Sequence, residues 1–195
     1  EDAKALLETD VVFMANGDSY YEHGKKQSYS EKGLSVYTDE NGALMDIAFE
    51  DADTYNFAFD TVDAIARKEP EKLAMLHIAR DKTERKFTFK DMKKGSAQAA
   101  NYFKSLGIKK GDRVMLILKR HYQYWFAMLG LNKLGAIGIP APNQLQEHDL
   151  EYRFQAAGIK AILCTTDGDV ANQVDMAAEK CPDLKIKIAV GEDRD

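Results

Sequence analysis

A chain of 195 residues is long enough for one ordinary domain or a large part of a bigger one, and 45% hydrophobic with 30% charged residues is a globular composition that excludes a disordered chain. With 27 Lys and Arg against 32 Asp and Glu the net charge is -5, and no long block of one sign stands out, which argues against a nucleic-acid binder. Cys164 and Cys181 lie in an apolar run and just before Pro182, with no CxxC pair and no histidine at ligand spacing, so they read as reduced, buried thiols of a cytoplasmic protein.

The opening EDAKALLETD is acidic where a secretory leader would be basic and then apolar, and it lacks an initiating Met, so an N-terminal stretch is expected to have been removed or replaced. The most apolar window, WFAMLGLNKLGAIGIPAP, is interrupted by Asn132, Lys133 and Pro140, which predicts a buried helix and strand and no membrane span. Residues 1–57 read as an N-terminal arm: ALLETDVVFM suits a short helix or an added strand, and NGDSYYEHGKKQSYSEKG is a polar loop. GLSVYTDENGALMDIAFE places two apolar runs around DENG, predicting a β-hairpin with Asn41 and Gly42 at positive φ. Asp51 and Asp53 alternate as calcium ligands would, but Tyr55 stands where a third ligand belongs and no Gly follows, so no metal is expected.

From Asp60 the pattern becomes regular. DTVDAIARKEP predicts a short helix with Asp60 as N-cap, Asp63 in the first turn, Val62, Ile65 and Ala66 inward, and Pro70 as its stop. KLAMLHIARDKTERKFTF predicts a hairpin, with His77 in its first strand as a structural histidine because no second titratable group is spaced with it. Thr88 and Asp91 form a capping-box pattern that opens a helix with Met92, Ala99, Phe103 and Leu106 on one face; Gly107 caps it and Ile108 folds back.

RVMLILK has the continuous apolar character of a strand buried on both faces. The helix expected over 121–134 puts Tyr122, Trp125, Phe126 and Leu129 at i, i+3, i+4 and i+7; read as core, Trp125→Ala should cost about 3–5 kcal/mol. Gly135 ends that helix, AIGIP forms a strand, and APNQLQ is a loop at the strand's C-terminal end, the edge where open α/β sheets bind ligands. EHDLEYRFQAAG is a helix, KAILCTT a buried strand, DGDVANQVDMAAEKCP a helix and LKIKIAV a final strand. The fold class is therefore α/β: a mostly parallel sheet flanked by helices over 58–195, with hairpins toward the N-terminus.

The runs NFAFDTVDAIARKEPEKLAM, KFTFKDMKKGSAQAANYFKSLGIKKGDRVMLILKRHYQYWFAMLGLNKLGAIGIPAPNQL, DLEYRFQAAGIKAILC and AAEKCPDLKIKIAV resemble, in order, the N-terminal part of AMP-forming acyl-CoA synthetases of the adenylate-forming superfamily. They are most similar to its medium-chain, acetyl-CoA-synthetase-like branch. The resemblance implies that residues 58–195 are the first, C-terminally incomplete part of an AMP-binding domain. It also implies that the full-length enzyme joins a small carboxylic acid to coenzyme A through an acyl-adenylate, using ATP and Mg²⁺ and releasing pyrophosphate.

The family's phosphate loop, Mg²⁺ motif, ribose Asp and catalytic Lys all come later in its chains, so no catalytic residue is expected in this segment, which should be inactive alone. Neither G-x-x-x-x-G-K-[ST] nor G-x-G-x-x-G occurs, which disfavours a nucleotide-binding oxidoreductase. Gln144 matches a family Gln beside the coenzyme A path, with Gln146 a weaker neighbour; a plain solvated loop residue is the competing reading. Where some acetyl-type relatives place coenzyme A-binding Arg residues, DGDVANQV has none. The alternative to a synthetase segment is a non-catalytic α/β binding or interaction module. If the strands over 113–165 pack against later segments of a full enzyme, the apolar surface left uncovered here predicts self-association.

Overall fold

The computed structural model describes residues 27–28, 34–39, 41, 43–49, 53–79 and 81–191. The expectations for ALLETDVVFM, for most of the polar run that follows it, for Gly42 and for Asp51 lie outside these residues.

β2 (Leu34–Thr38) and β3 (Leu44–Phe49) pair antiparallel, as the alternation around DENG predicts, whereas β1 (Gln27–Ser28), inside the run read as a polar loop, is a short third strand that pairs with β2. At the turn the Asp39 carboxylate accepts from the amides of Asn41 and Ala43, each at 2.8 Å, so an Asx-type loop closes the hairpin.

The next helix also begins earlier than its composition suggests. A π-helical turn over Phe57–Val62 precedes α1 (Asp63–Lys68), and the N-cap is Asn56, whose side-chain oxygen accepts from Ala58 at 3.0 Å. Asp60 is not the cap; its carboxylate reaches back to the Asn56 amide at 2.7 Å. Asp63, expected as an ordinary first-turn acid, is buried and takes two bonds from Lys133 Nζ, at 2.9 and 3.0 Å. The Asn56 amide group also donates to the Asn132 carbonyl at 2.7 Å, so this segment is anchored twice to the helix that carries Lys133.

β4 (Leu73–Ile78) and β5 (Glu84–Thr88) pair as the predicted hairpin. The capping box then opens α2 (Phe89–Ser105): Thr88 Oγ1 accepts from the Asp91 amide, and Asp91 accepts from the Thr88 amide at 2.9 Å. Those bonds hold the Asp91 carboxyl below the usual carboxylate range. Gly107, at φ 82°, terminates the helix, and Ile108 folds back so that its amide meets the Phe103 carbonyl at 3.1 Å. Leu106, expected on the inner face, is exposed; Ser96 and Ala100 are the buried positions the simple stripe omits.

The main sheet is parallel throughout, in the order β7 (Ile137–Pro140), β6 (Arg113–Ile117), β8 (Ala161–Thr165), β9 (Ile186–Val190). Helices cover both faces: α3 (Gln123–Leu134) lies with α2 on one side, α4 (Glu147–Ala157) with α5 (Val170–Ala178) on the other. The period of two along β6 divides its side chains accordingly. Val114 and Leu116 meet Phe103, Ala127 and Leu131, whereas Met115 and Ile117 meet Leu150, Phe154 and Val174.

A Cβ at Gly130 would stand 2.9 Å from both the Ala100 amide nitrogen and the Ala99 Cβ, so α2 and α3 approach this closely only because Gly130 has no side chain. Cys164 and Cys181 are buried and not joined in a disulfide, and burial pushes the Cys181 thiol up. The largest departure from the helical-stripe reading is Trp125, which is 53% exposed; the inward residues of α3 are Ala127, Leu129, Gly130 and Leu131.

Candidate functional site

Strand order decides where a ligand can enter. The chain leaves β6 through α3 toward β7, then returns through α4 over the opposite face to β8, so the connections after β6 and β8 depart to opposite sides. That reversal opens a crevice at the C-terminal ends of β6 and β8. A cleft of about 1460 Å³ lies there, walled by Lys119, Arg120, His121, Tyr122 and Gln123 after β6 and by Asp167 and Gly168 after β8. Asn143 joins from the loop after β7, and His77, Ile78, Ala79 and Arg85 close it from the β4–β5 hairpin.

The two loops are tied together. His121 Nε2 lies 2.8 Å from the hydroxyl of the buried Thr165 and 3.2 Å from Asp167 Oδ2. The same Thr165 oxygen accepts from the Asp167 amide at 3.0 Å. Lys119, at φ 47°, donates from Nζ to the Asp167 carbonyl at 2.8 Å. Because Asp and Thr share one ring nitrogen, this is not the relay in which a base is polarised on one nitrogen and acts with the other.

The hairpin is attached through His77. Its Nε2 lies 3.0 Å from the Arg120 carbonyl oxygen, which only accepts, so that nitrogen carries the proton and Nδ1 of a neutral ring is a bare acceptor. The imidazole edge packs against Tyr122 at 5.4 Å, and the Arg85 guanidinium lies 5.7 Å over the same phenol ring. His77 thus ties the hairpin to the loop after β6 through Nε2 and sits on the cleft wall, while its Nδ1 is buried without a partner.

Gln144 is exposed on the loop after β7, and its carbonyl accepts from Gln146 Nε2 at 3.3 Å. The residue of that loop on the cleft wall is Asn143. Gln146 is the N-cap of α4, with its amide on Asp149 at 3.2 Å, which accounts for it structurally. Lys119, Arg120, His121, Arg85 and Asp167 were not marked out by their spacing in the chain. The available signal was KRH directly after a buried strand, and its meaning depends on a strand order that the sequence does not display. Among the described residues, no group of three or more His, Cys, Asp or Glu side chains is arranged to hold a metal ion.

A doubly wound parallel sheet with a cleft at its reversal point defines a ligand-binding α/β domain. The chain belongs to the AMP-binding enzyme family, which it matches over residues 62–195. It is 35% identical over 144 residues to acyl-coenzyme A synthetase ACSM5, mitochondrial, of Rattus norvegicus, covering 71% of this chain and 25% of that protein. It is 33% identical to acyl-coenzyme A synthetase ACSM2A, mitochondrial, of Homo sapiens over the same length and with the same coverage. The chain therefore spans about a quarter of the length of these relatives, in their N-terminal part.

Among solved structures, it is similar to the N-terminal domain of FACL13 from Mycobacterium tuberculosis, with a TM-score of 0.63, 20% identity, and 70% of this chain and 34% of that chain covered. It is also similar to the anthranilate CoA ligase AuaEII in complex with anthranoyl-AMP, with a TM-score of 0.60, 22% identity, and 72% and 26% covered. At these identities the likeness shows the fold, which agrees with the α/β expectation. No helix among the described residues is long and apolar enough to cross a membrane. The expected cytoplasmic location meets a counter-indication, since the relatives above are mitochondrial by name.

Proposed function

We propose that this chain is the N-terminal segment of an ATP-dependent, AMP-forming acyl-CoA synthetase, with residues 58–195 as the first α/β part of its AMP-binding domain. The supporting observation is the extended match to acyl-coenzyme A synthetases at 35% identity, carried by a sheet of the same fold. In the full protein a carboxylate would attack the α-phosphate of ATP, and the thiol of coenzyme A would capture the acyl-adenylate, with Mg²⁺ spreading the triphosphate charge. This segment contributes no catalytic group to that scheme. Its parallel sheet is the rigid support, and Gln144, exposed after β7, is the position offered to coenzyme A.

The test is acyl-CoA formation by the protein encoded by the complete open reading frame, beside the 195-residue chain. Thioester formation by the first and no pyrophosphate exchange by the second is the expected result; turnover by a mass-verified short chain would overturn it. Gln144→Ala in the full protein should raise the KM for coenzyme A and leave the KM for ATP unchanged. For location, the names of the relatives favour mitochondria over cytoplasm, and a fluorescent fusion of the full protein decides between them.

A further inference from the structure

We infer that His121 is a proton-operated latch between the two loops that wall the cleft, the one after β6 and the one after β8. Protonated, its ring holds the Asp167 carboxylate and ties the loops to each other; neutral, it releases that side chain. The latch uses only residues of this chain and stands without the reaction proposed above.

Two unlike partners meet one ring nitrogen. His121 Nε2 lies 2.8 Å from Thr165 Oγ1 and 3.2 Å from Asp167 Oδ2, and Thr165 Oγ1 already accepts from the Asp167 amide at 3.0 Å. A neutral ring whose Nε2 is bare accepts the Thr165 hydroxyl proton but turns the same lone pair toward a carboxylate. A neutral ring with its proton on Nε2 offers that carboxylate a donor without a charge. The imidazolium supplies both, so the bond from Nε2 to Asp167 is strongest in the protonated form.

One end of the latch is fixed and the other is free to move. Thr165 is fully buried at the end of β8, and the His121 amide donates to the Leu118 carbonyl at 2.9 Å, which holds the ring against its own strand. The His121 and Asp167 side chains are 22% and 55% exposed, so solvent protons reach them, and Asp167, Gly168 and Asp169 form an exposed turn beyond the sheet. Charged groups approach the ring from three elements. Lys119 and Arg120 flank it on its own loop, with Lys119 Nζ on the Asp167 carbonyl at 2.8 Å. Asp167 and Asp169 come from the loop after β8, and the Asp169 carboxylate is turned to Asn172 and Gln173. His77 and Arg85 belong to the hairpin, the first on the Arg120 carbonyl and the second over the Tyr122 ring. Among the described residues, the carboxylate in contact with the His121 ring is that of Asp167, so removing its charge removes the latch.

Amide hydrogen exchange of the 195-residue chain between about pH 5 and 8 tests this, read by mass spectrometry in peptides covering 165–169 and normalised to the unfolded peptide at each pH. The tie is present while the ring is protonated and Asp167 ionised, and it is lost as the pH rises and the ring gives up its proton. Protection of the turn is therefore expected to fall by about threefold to fivefold across that range, the scale of a partly exposed ion pair. Asp167→Asn keeps an oxygen for the contact without the charge, and His121→Gln keeps a donor of similar reach without a titrating ring; each should flatten the dependence. His148→Gln, which alters an exposed histidine of α4 beside Asp149, should leave it intact. Circular dichroism checks that the variants fold, and Asp167→Asn decides alone where His121→Gln does not. Protection of the turn that stays constant with pH in the parent, or a pH dependence that persists in Asp167→Asn, would overturn the latch.

Discussion

β8 and β4 are both short apolar strands, AILCT and LAMLHI, and they have opposite surroundings. Every residue of β8 is buried, because neighbouring strands flank it and helices cover both of its faces. Among the described residues β4 pairs only with β5, and Leu73, Leu76 and Ile78 are exposed, Ile78 by 56%. Apolar content therefore marks a strand without stating how many layers will cover it. The stability of this chain is concentrated in the four-stranded parallel sheet, and the hairpin contributes surface.

The largest expected effect lies in the helical cover of the sheet, where α1 is tied to α3. The Lys133 and Asp63 side chains are only 5% and 7% exposed, so Lys133→Met leaves a buried carboxylate unpaired and should destabilise by about 3–5 kcal/mol in urea melts. Adding Asp63→Asn to that variant should recover part of the loss; equal instability of the single and double variants would show that packing, not charge, dominates there. Next is Ile162→Ala in the centre of β8, expected to cost about 2–5 kcal/mol because the cavity cannot collapse between two helical layers.

Trp125→Ala, which a core reading would place among the most damaging changes, should fall within about 0.5 kcal/mol of the parent, as surface substitutions do. Leu76→Ser on β4 should be similarly mild in stability while reducing self-association in light scattering, since it removes exposed apolar surface.

The smallest effect is a pH dependence within the sheet region. Burial would raise the Asp112 carboxyl, but Lys160 at 2.6 Å and the Lys109 amide at 2.7 Å outweigh it and hold it below the ordinary range. A pKa depressed in the folded state adds stability that is full above the unfolded value of about 4 and is lost as pH falls through the folded value. Asp112→Asn should flatten that acid limb of a stability profile; an unchanged limb would assign it to other carboxylates such as Asp91.

Much of this organisation could be read in one dimension. The capping box at Thr88, the left-handed Gly107, the hairpins and the four parallel strands all follow from local pattern. Where reading by pattern failed, a longer-range contact intervened. Asn56 caps the first helix in place of Asp60 while its amide reaches Asn132, seventy-six positions away. Trp125 lies on the stripe the periodicity selects, but Gly130 and Leu131 are what α3 presents to the core, because α2 packs against the small side of the helix. Gln144 was found through resemblance, whereas the cationic cleft was not found at all.

The sequence by itself determined the α/β class, the element boundaries within a few residues, and the family to which the chain belongs, since periodicity, caps and ordered motifs are properties of neighbours along the chain. Only the tertiary structure decided the strand order β7-β6-β8-β9, and with it the crevice that brings Arg85, Lys119, Arg120, His121 and Asp167 together. Strand order is set by which apolar faces find cover on one another across dozens of residues, and that is a packing energy no local window contains.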